Sequence, residues 1–323
     1  MSILRKALVI SAVAFLIAGF FSVEARAEKK IGVLLWSEEG RYSDSKNGIM
    51  EQLKKGGFGE DTVKFTLENA GGNKAKAAEF AQKFAAAKFD MVIGVGTSAV
   101  VPLAREIKTV PVVFSMVYDP VDAKIAEDWK SSGNNTTGAS PRVPMATLVN
   151  TLKQLAPIKR LAVLYTPGEK NSETQLKELQ AVQNETHVKV VPVPLTSKEQ
   201  VSSIMSEVAS ATEAIYLSGS SIVGDPVSIA VIIDIATKAK VITVTHLDDF
   251  MDKGVLLGVC ANPYRVGLLA GEKAVKVLKG AKPSSIPIEA LKNLDVIVNM
   301  KAAKAGQIKI PPTFLKSATK VIE

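Results

Sequence analysis

The chain has 323 residues, 47% hydrophobic content and a formal net charge of +8, enough apolar material for two cores of ordinary domain size. Aromatic residues make up only 6%, and the lysines are spread along helix faces rather than clustered, which argues against a nucleic-acid partner. With Cys260 as the single cysteine and only His187 and His246 as histidines, an internal disulfide is excluded and a histidine-built metal centre is not expected.

At the N-terminus, Arg5 and Lys6 precede an apolar run over 7–21, and Ala25-Arg26-Ala27 offers small residues at both positions that a signal peptidase reads. This is the pattern of a secretory signal peptide over 1–27, with cleavage expected after Ala27. The run is shorter than the roughly 20 residues a membrane span requires. No cysteine lies near the cut, so no lipid anchor is expected. Removing 1–27 takes away Arg5, Lys6, Arg26 and Glu24 and leaves a charge of +6. The expectation is an exported, periplasmic, soluble monomer, with Cys260 a buried strand thiol.

Strand–helix units follow. Short apolar runs predict strands over 31–35, 63–67, 91–95 and 110–117, with helices over 45–55, 74–87 and 99–108, a loop over 36–44 and a small polar turn over 96–98. Asp119-Pro120 reads as the start of a further helix, an acidic cap followed by proline at the first helical position. Residues 134–140 read as a short fifth strand. From Pro141 the pattern restarts, with helices over 145–155, 172–184, 198–210 and 264–278, another behind the Asp225-Pro226 cap, and strands over 160–165, 188–193, 214–217, 241–245, 255–260 and 294–299. Ser172 with Gln175 three residues later reads as a capping box. Two successive sets of such units predict an α/β fold of two Rossmann-like lobes, each a parallel sheet flanked by helices.

The segment 90–120 is the chemical centre of the pattern. Its two turns fall at the carboxyl ends of buried parallel strands, where open sheets bind ligands. The helix start offers free N–H groups and the positive end of a dipole, and Thr97 and Ser98 add hydroxyls. Ser115 and Asp119 flank the next strand. Trp36, Ser37 and Tyr42 in the first loop and Tyr118 beside the second turn follow strand ends, and an aromatic ring there can cover a ligand. Ser218-Gly219-Ser220-Ser221 is the matching polar loop of the second half. A competing reading is a dinucleotide-dependent enzyme: Gly94-Val95-Gly96-Thr97-Ser98-Ala99 fits G-x-G-x-x-A, and Asp119 lies twenty residues beyond Ala99. The fingerprint falls on the third strand rather than the first, however, and the export signal leads away from soluble dinucleotides. No G-x-S-x-G elbow surrounds Ser98 or Ser220, which disfavours a serine hydrolase.

With VIGVGTSAVVPLAREIKTVPVVFSMVYDPVDAKI, the NNTTGAS segment ending in Ser140, LAVLYTPGEKNS, AIYLSGSSIV and GEKAVKVLKGAKPSSIPIE in that order, the chain resembles the ABC-transporter substrate-binding proteins of the tryptophan/tyrosine type. The resemblance implies a type I periplasmic-binding-protein fold whose two lobes are joined by three crossings and close over a ligand by hinge motion. Lobe I would comprise 28–139 plus 255–284, and lobe II 140–254 plus 285–323. It also implies a non-enzymatic receptor without cofactor that hands a small organic ligand, an amino acid or related carboxylate, to the membrane permease of an ABC importer. A sensor docking to a signalling receptor is the alternative. Thr97-Ser98, Asp119-Pro120 and Asn171-Ser172 match the family's turns, whereas Ser220-Ser221 stand where an acid and an amide are commoner. That departure leaves Asp119, Glu38 and Asp248 as alternatives for holding a ligand amino group.

Overall fold

The computed structural model describes residues 28–323; the signal peptide expected over 1–27 lies outside them. The chain runs β1 (Lys29–Leu35), α1 (Gly40–Lys55), β2 (Val63–Asn69), α2 (Lys74–Ala86), β3 (Met91–Val95), α3 (Thr97–Glu106), β4 (Val112–Ser115) and β5 (Thr136–Ser140). It continues through α4 (Met145–Leu155), β6 (Arg160–Tyr165), α5 (Lys170–Ala181), α6 (Gln183–Thr186), β7 (Lys189–Pro194), α7 (Val201–Ala211), β8 (Ala214–Leu217), α8 (Pro226–Lys238) and β9 (Ile242–Thr245). Last come β10 (Leu257–Cys260), α9 (Pro263–Leu278), β11 (Glu289–Ala290), β12 (Asp295–Asn299), α10 (Met300–Ala305), α11 (Pro312–Ser317) and β13 (Lys320–Ile322).

Two sheets result, in the orders β11-β5-β4-β3-β1-β2 and β13-β12-β10-β9-β8-β6-β7. The first is parallel throughout; in the second only β10 and β12 run antiparallel. The central strands β3, β4, β8 and β9 are buried along their whole length, because helices cover both faces of a parallel sheet. Gly94 belongs to this packing. A Cβ there would lie 2.6 Å from Val100 Cγ2 and 2.8 Å from Leu103 Cδ1, so α3 can settle onto β3 only over a glycine. The first glycine of the dinucleotide-like fingerprint therefore has a packing cause.

The chain passes from the first sheet to the second after β5, and returns after β10 through α9, which packs on α1, β4 and β5. It leaves again after β11. These are three crossings, but the expected boundary at 255 is misplaced: β10 pairs with β9 and β12 in the second sheet, and β11 pairs with β5 in the first. An apolar run looks the same whichever sheet receives it. Lys273, buried on α9, fixes the return by donating to Pro287 O at 2.7 Å and to Glu289 Oε2 at 2.5 Å. Cys260 is fully buried in β10, and burial pushes its thiol pKa up, the environment of an inert core thiol.

Three local expectations are corrected. α1 begins at Gly40, five residues before the expected start, so most of the expected loop is helix. Asp119-Pro120 opens only a turn: Asp119 Oδ1 accepts from the N–H groups of Val121 and Asp122 at 2.9 and 3.1 Å, and Lys124 at φ 56° stops the helix. Ser172 is not a cap; α5 starts at Lys170, and Ser172 Oγ lies inside the first turn, donating to Thr166 O or Glu169 O. The Asp225-Pro226 cap of α8 is as expected, with Asp225 Oδ1 accepting from Val227 and Ser228 N–H at 3.1 Å.

Candidate functional site between the two sheets

The carboxyl ends of the strands in both sheets converge on one cavity. From the first sheet it is lined by Trp36, Glu39, Arg41, Tyr42, Thr97, Ser98, Met116 and Tyr118. From the second come Glu169, Asn171, Gln175, Gly219, Ser220, Ser221, His246 and Leu247, with Pro141 at the crossing. The cavity volume is ≈ 40 Å³, room for only a few water-sized groups, so the two walls are closed on each other.

Of the residues singled out from sequence, Trp36, Tyr42, Thr97, Ser98, Tyr118, Asn171, Gly219, Ser220 and Ser221 line this cavity. The others are placed differently. Ser37 Oγ donates to Glu39 Oε1 at 3.0 Å, at the rim. Ser115 is buried against Ser45, Oγ to Oγ 2.7 Å. Ser140 Oγ donates to Tyr118 O at 2.6 Å, and Ser172 is spent inside α5. Ser218 is fully buried, its Oγ without a hydrogen-bond partner among the described residues. Asp119 pairs with Arg142 at 3.1 Å besides capping its turn, which removes it as a ribose-binding acid. Asp248 sits half-buried in the 3₁₀ turn Asp248–Phe250, its carboxyl pKa raised by burial and by Asp252 and Asp249 against the pull of Lys320. Glu38 is exposed.

Sequence reasoning missed Arg41, Glu169, Gln175 and His246. Arg41 reaches from α1 across the cleft, donating to Asp249 Oδ2 at 2.7 Å and also pairing with Glu39. Burial works to lower its pKa, but Tyr42, Asp249 and Glu39 outweigh that and hold the guanidinium above its ordinary value. Other bonds span the cleft: Tyr118 OH donates to Glu178 Oε2 at 2.7 Å, and Thr174 Oγ1 bonds the Asp122 carboxylate.

On the first wall α3 begins at the cavity. Its N-cap is Gly96 at φ 99°, which offers no side-chain cap, so the N–H groups of the first turn face the cavity with Thr97 and Ser98. Gly96 is confined by Trp36 Cβ and Tyr42 Cε1, each 2.9 Å from a hypothetical Cβ. The opposite wall carries Glu169, only 9% exposed. Its oxygens accept from Ser221 N–H at 2.9 Å and from Ser221 Oγ, and it forms no ion pair among the described residues. Asn171 Nδ2 donates to Gly219 O, holding the serine loop against α5.

His246 is 3% exposed. Its Nδ1 lies 2.6 Å from Tyr216 OH, and its ring is edge-on to Tyr118 at 5.3 Å. Burial, with the charge of Arg41, lowers its pKa from 6.5 to about 3, so it is neutral in the folded protein. Between these values the unfolded chain binds more protons, and stability falls as the pH drops from 6.5 toward 3. Denaturant midpoints followed over that range should show the acid loss in the wild type, by at most about 1.4 kcal/mol per pH unit from this group. The slope should flatten in His246→Phe.

A curated relative, a tyrosine-binding protein of Clostridioides difficile (strain R20291), is 24% identical over 285 residues, spanning 87% of this chain and 82% of its own. A solved domain from Streptococcus pneumonia in complex with L-Trp is 28% identical, with a TM-score of 0.85 over 92% of this chain and 100% of that one. The ligand-free, open structure of an adhesive substrate binding protein from Clostridium difficile is 26% identical, with a TM-score of 0.74 over 91% of this chain and 99% of that one. The fold is the type I periplasmic-binding-protein fold, and the chain is a solute-binding receptor. Matched by the family model over residues 30–322, it belongs to the ABC transporter substrate binding proteins.

Proposed function

We propose that the cavity takes a zwitterionic amino acid and that the chain, exported by a signal peptide cleaved after Ala27, delivers it to the permease of an ABC importer without catalysing a reaction. The observation that carries the ligand class is the charge arrangement of the two walls. Glu169 is a buried carboxylate without a cation among the described residues, and the uncapped N-terminus of α3 with Thr97 and Ser98 faces the same cavity. A buried charge is costly unless paired. A ligand ammonium at Glu169 and a ligand carboxylate at α3 satisfy both walls at once.

Binding couples to hinge motion. The bonds of Arg41, Tyr118 and Asp122 tie the walls together across the cleft, so the lobes part for entry and these bonds form again on closing. The higher TM-score against the L-Trp-bound domain than against the open one supports a closed arrangement here.

Thermal unfolding of the purified protein against amino acids, small carboxylates, purines and dinucleotides tests this. An amino acid at a hundred times its dissociation constant should add about 2.7 kcal/mol of stability. Thr97→Ala with Ser98→Ala should weaken binding about tenfold, the loss of one or two hydrogen bonds to a charged group. Stabilisation by a dinucleotide alone would overturn the proposal.

A further inference from the structure

Thr97, Ser98, Glu169 and Asn171 line the cavity and also line a groove of ≈ 290 Å³ that lies between α2, α3 and the turn before α5. The groove follows one face of α3. Residues four apart on a helix stack along the same side, so Thr97, Val101 and Arg105 form one row, with Ser98 and Pro102 beside it. From position 97 to 105 the helix rises about 12 Å, and a helical side chain leans back toward the N-terminus, which shortens the reach to the guanidinium. Val101 and Pro102, with Ala78 of α2, give the groove an apolar stretch. Three cations from three helices line it as well: Lys74, Arg105 and Lys170. Lys74 makes no hydrogen bond or ion pair among the described residues. Arg105 engages Glu106 through Nε alone, at 2.7 Å, and Lys170 pairs with Glu173 at 3.2 Å. The one carboxylate among the lining residues is Glu169, already held by Ser221.

We propose that this groove is a subsite for a second anionic group at the far end of the ligand, so that the protein takes amino acids whose side chain carries a distal carboxylate on an apolar tether. This rests on the assignment of an amino-acid ligand. The α-ammonium and α-carboxylate keep the places given to them by Glu169 and the first turn of α3. The tether lies along Val101, Pro102 and Ala78, and the terminal carboxylate meets Arg105 and Lys74. Both cations are exposed, and an exposed ion pair raises affinity by at most about fivefold. Two such pairs together give about tenfold, a gain that salt screens. An uncharged side chain leaves the cations in water at no cost, so the groove favours acids without excluding other amino acids.

Calorimetric titration with L-glutamate, L-2-aminoadipate and L-2-aminosuberate, each beside its side-chain amide, tests this. The preference for acid over amide should grow with tether length to about tenfold, and shrink to about threefold or less in 0.5 M salt. Lys74→Gln with Arg105→Gln should bring the ratio to about one at every length, and Arg105→Glu should invert it. A ratio of one throughout the wild-type series, or a ratio that survives Lys74→Gln with Arg105→Gln, would overturn the subsite and leave the receptor assignment standing. Binding of other amino acids but of none of these dicarboxylic acids would do the same. Failure of every amino acid to bind would overturn the assignment and the inference together.

Discussion

Glu169→Gln should lower amino-acid affinity about 30-fold or more while leaving the unliganded protein as stable as the wild type, or more so. The two effects have opposite signs because the carboxylate has two surroundings. In the unliganded protein its oxygens accept from Ser221 N–H and Oγ, and an amide of the same shape keeps that pattern, its oxygen accepting the N–H and its nitrogen donating to the serine hydroxyl. The substitution also removes a charge that is buried without an ionic partner among the described residues, a change that is neutral or favourable to folding. With the ligand bound, the carboxylate instead has the ammonium as its counter-ion. Truncating one side of such a pair costs about 2–5 kcal/mol. Calorimetric titration beside chemical unfolding separates the two. Unchanged affinity would place the ammonium elsewhere and undo the ligand orientation; a large fall in unliganded stability would make Glu169 a structural brace of the serine loop.

Much of the scaffold was legible, because a fully buried parallel strand has a simple signature. β6, β8 and α4 have the limits expected from their apolar patterns, and the α8 cap follows from Asp225-Pro226. Errors fell where a local signal has more than one use. Asp119-Pro120 can open a helix or a turn, and the left-handed Lys124 selects the turn. Gly40 and Arg41 do not look like a first helical turn, yet the helix starts there, with Arg41 held by Glu39 just before it and by Asp249 from the other sheet. The sheet that receives β10 depends on partners far away in sequence.

The candidate site was half legible for a related reason. Thr97, Ser98 and the serine loop announce themselves as small polar residues after strand ends. Glu169 precedes a helix that sequence placed two residues too late, and Gln175 looked like half of a capping box when its amide oxygen in fact collects Tyr216 and Gly219. His246 follows β9 as an isolated histidine, which by itself argues only against a metal site. Its meaning lies in a tyrosine thirty positions earlier. Convergence of strand ends, rather than any motif, brings these groups together.

The wall that carries Trp36, Arg41 and Tyr42 depends on how closely α1 approaches α9, and Gly267→Ala should show this through a fall in stability of about 1–3 kcal/mol or more, the cost of overpacking a close contact. A Cβ at Gly267 would sit 2.0 Å from Ser45 O and 2.8 Å from Ser45 C, and one at Gly48 would sit 2.2 Å from Tyr264 O. These are backbone atoms, so no rotamer change relieves the clash and the helices must separate. Alanine's better helix propensity, worth about 1 kcal/mol over glycine, acts in the other direction and is outweighed. Separation would pull Ser45 from Ser115 and shift the first turn of α1, from which Arg41 reaches Asp249. Binding should therefore weaken along with folding, although α9 does not line the cavity. Gly40→Ala is the control: outside the helix's own backbone, the nearest atom to a Cβ there is Asp249 Cβ at 3.9 Å, so stability should be unchanged or slightly higher. Equal melting behaviour of Gly267→Ala and Gly40→Ala would show that the α1–α9 contact can relax, and that the geometry of the first wall is set by the sheet instead.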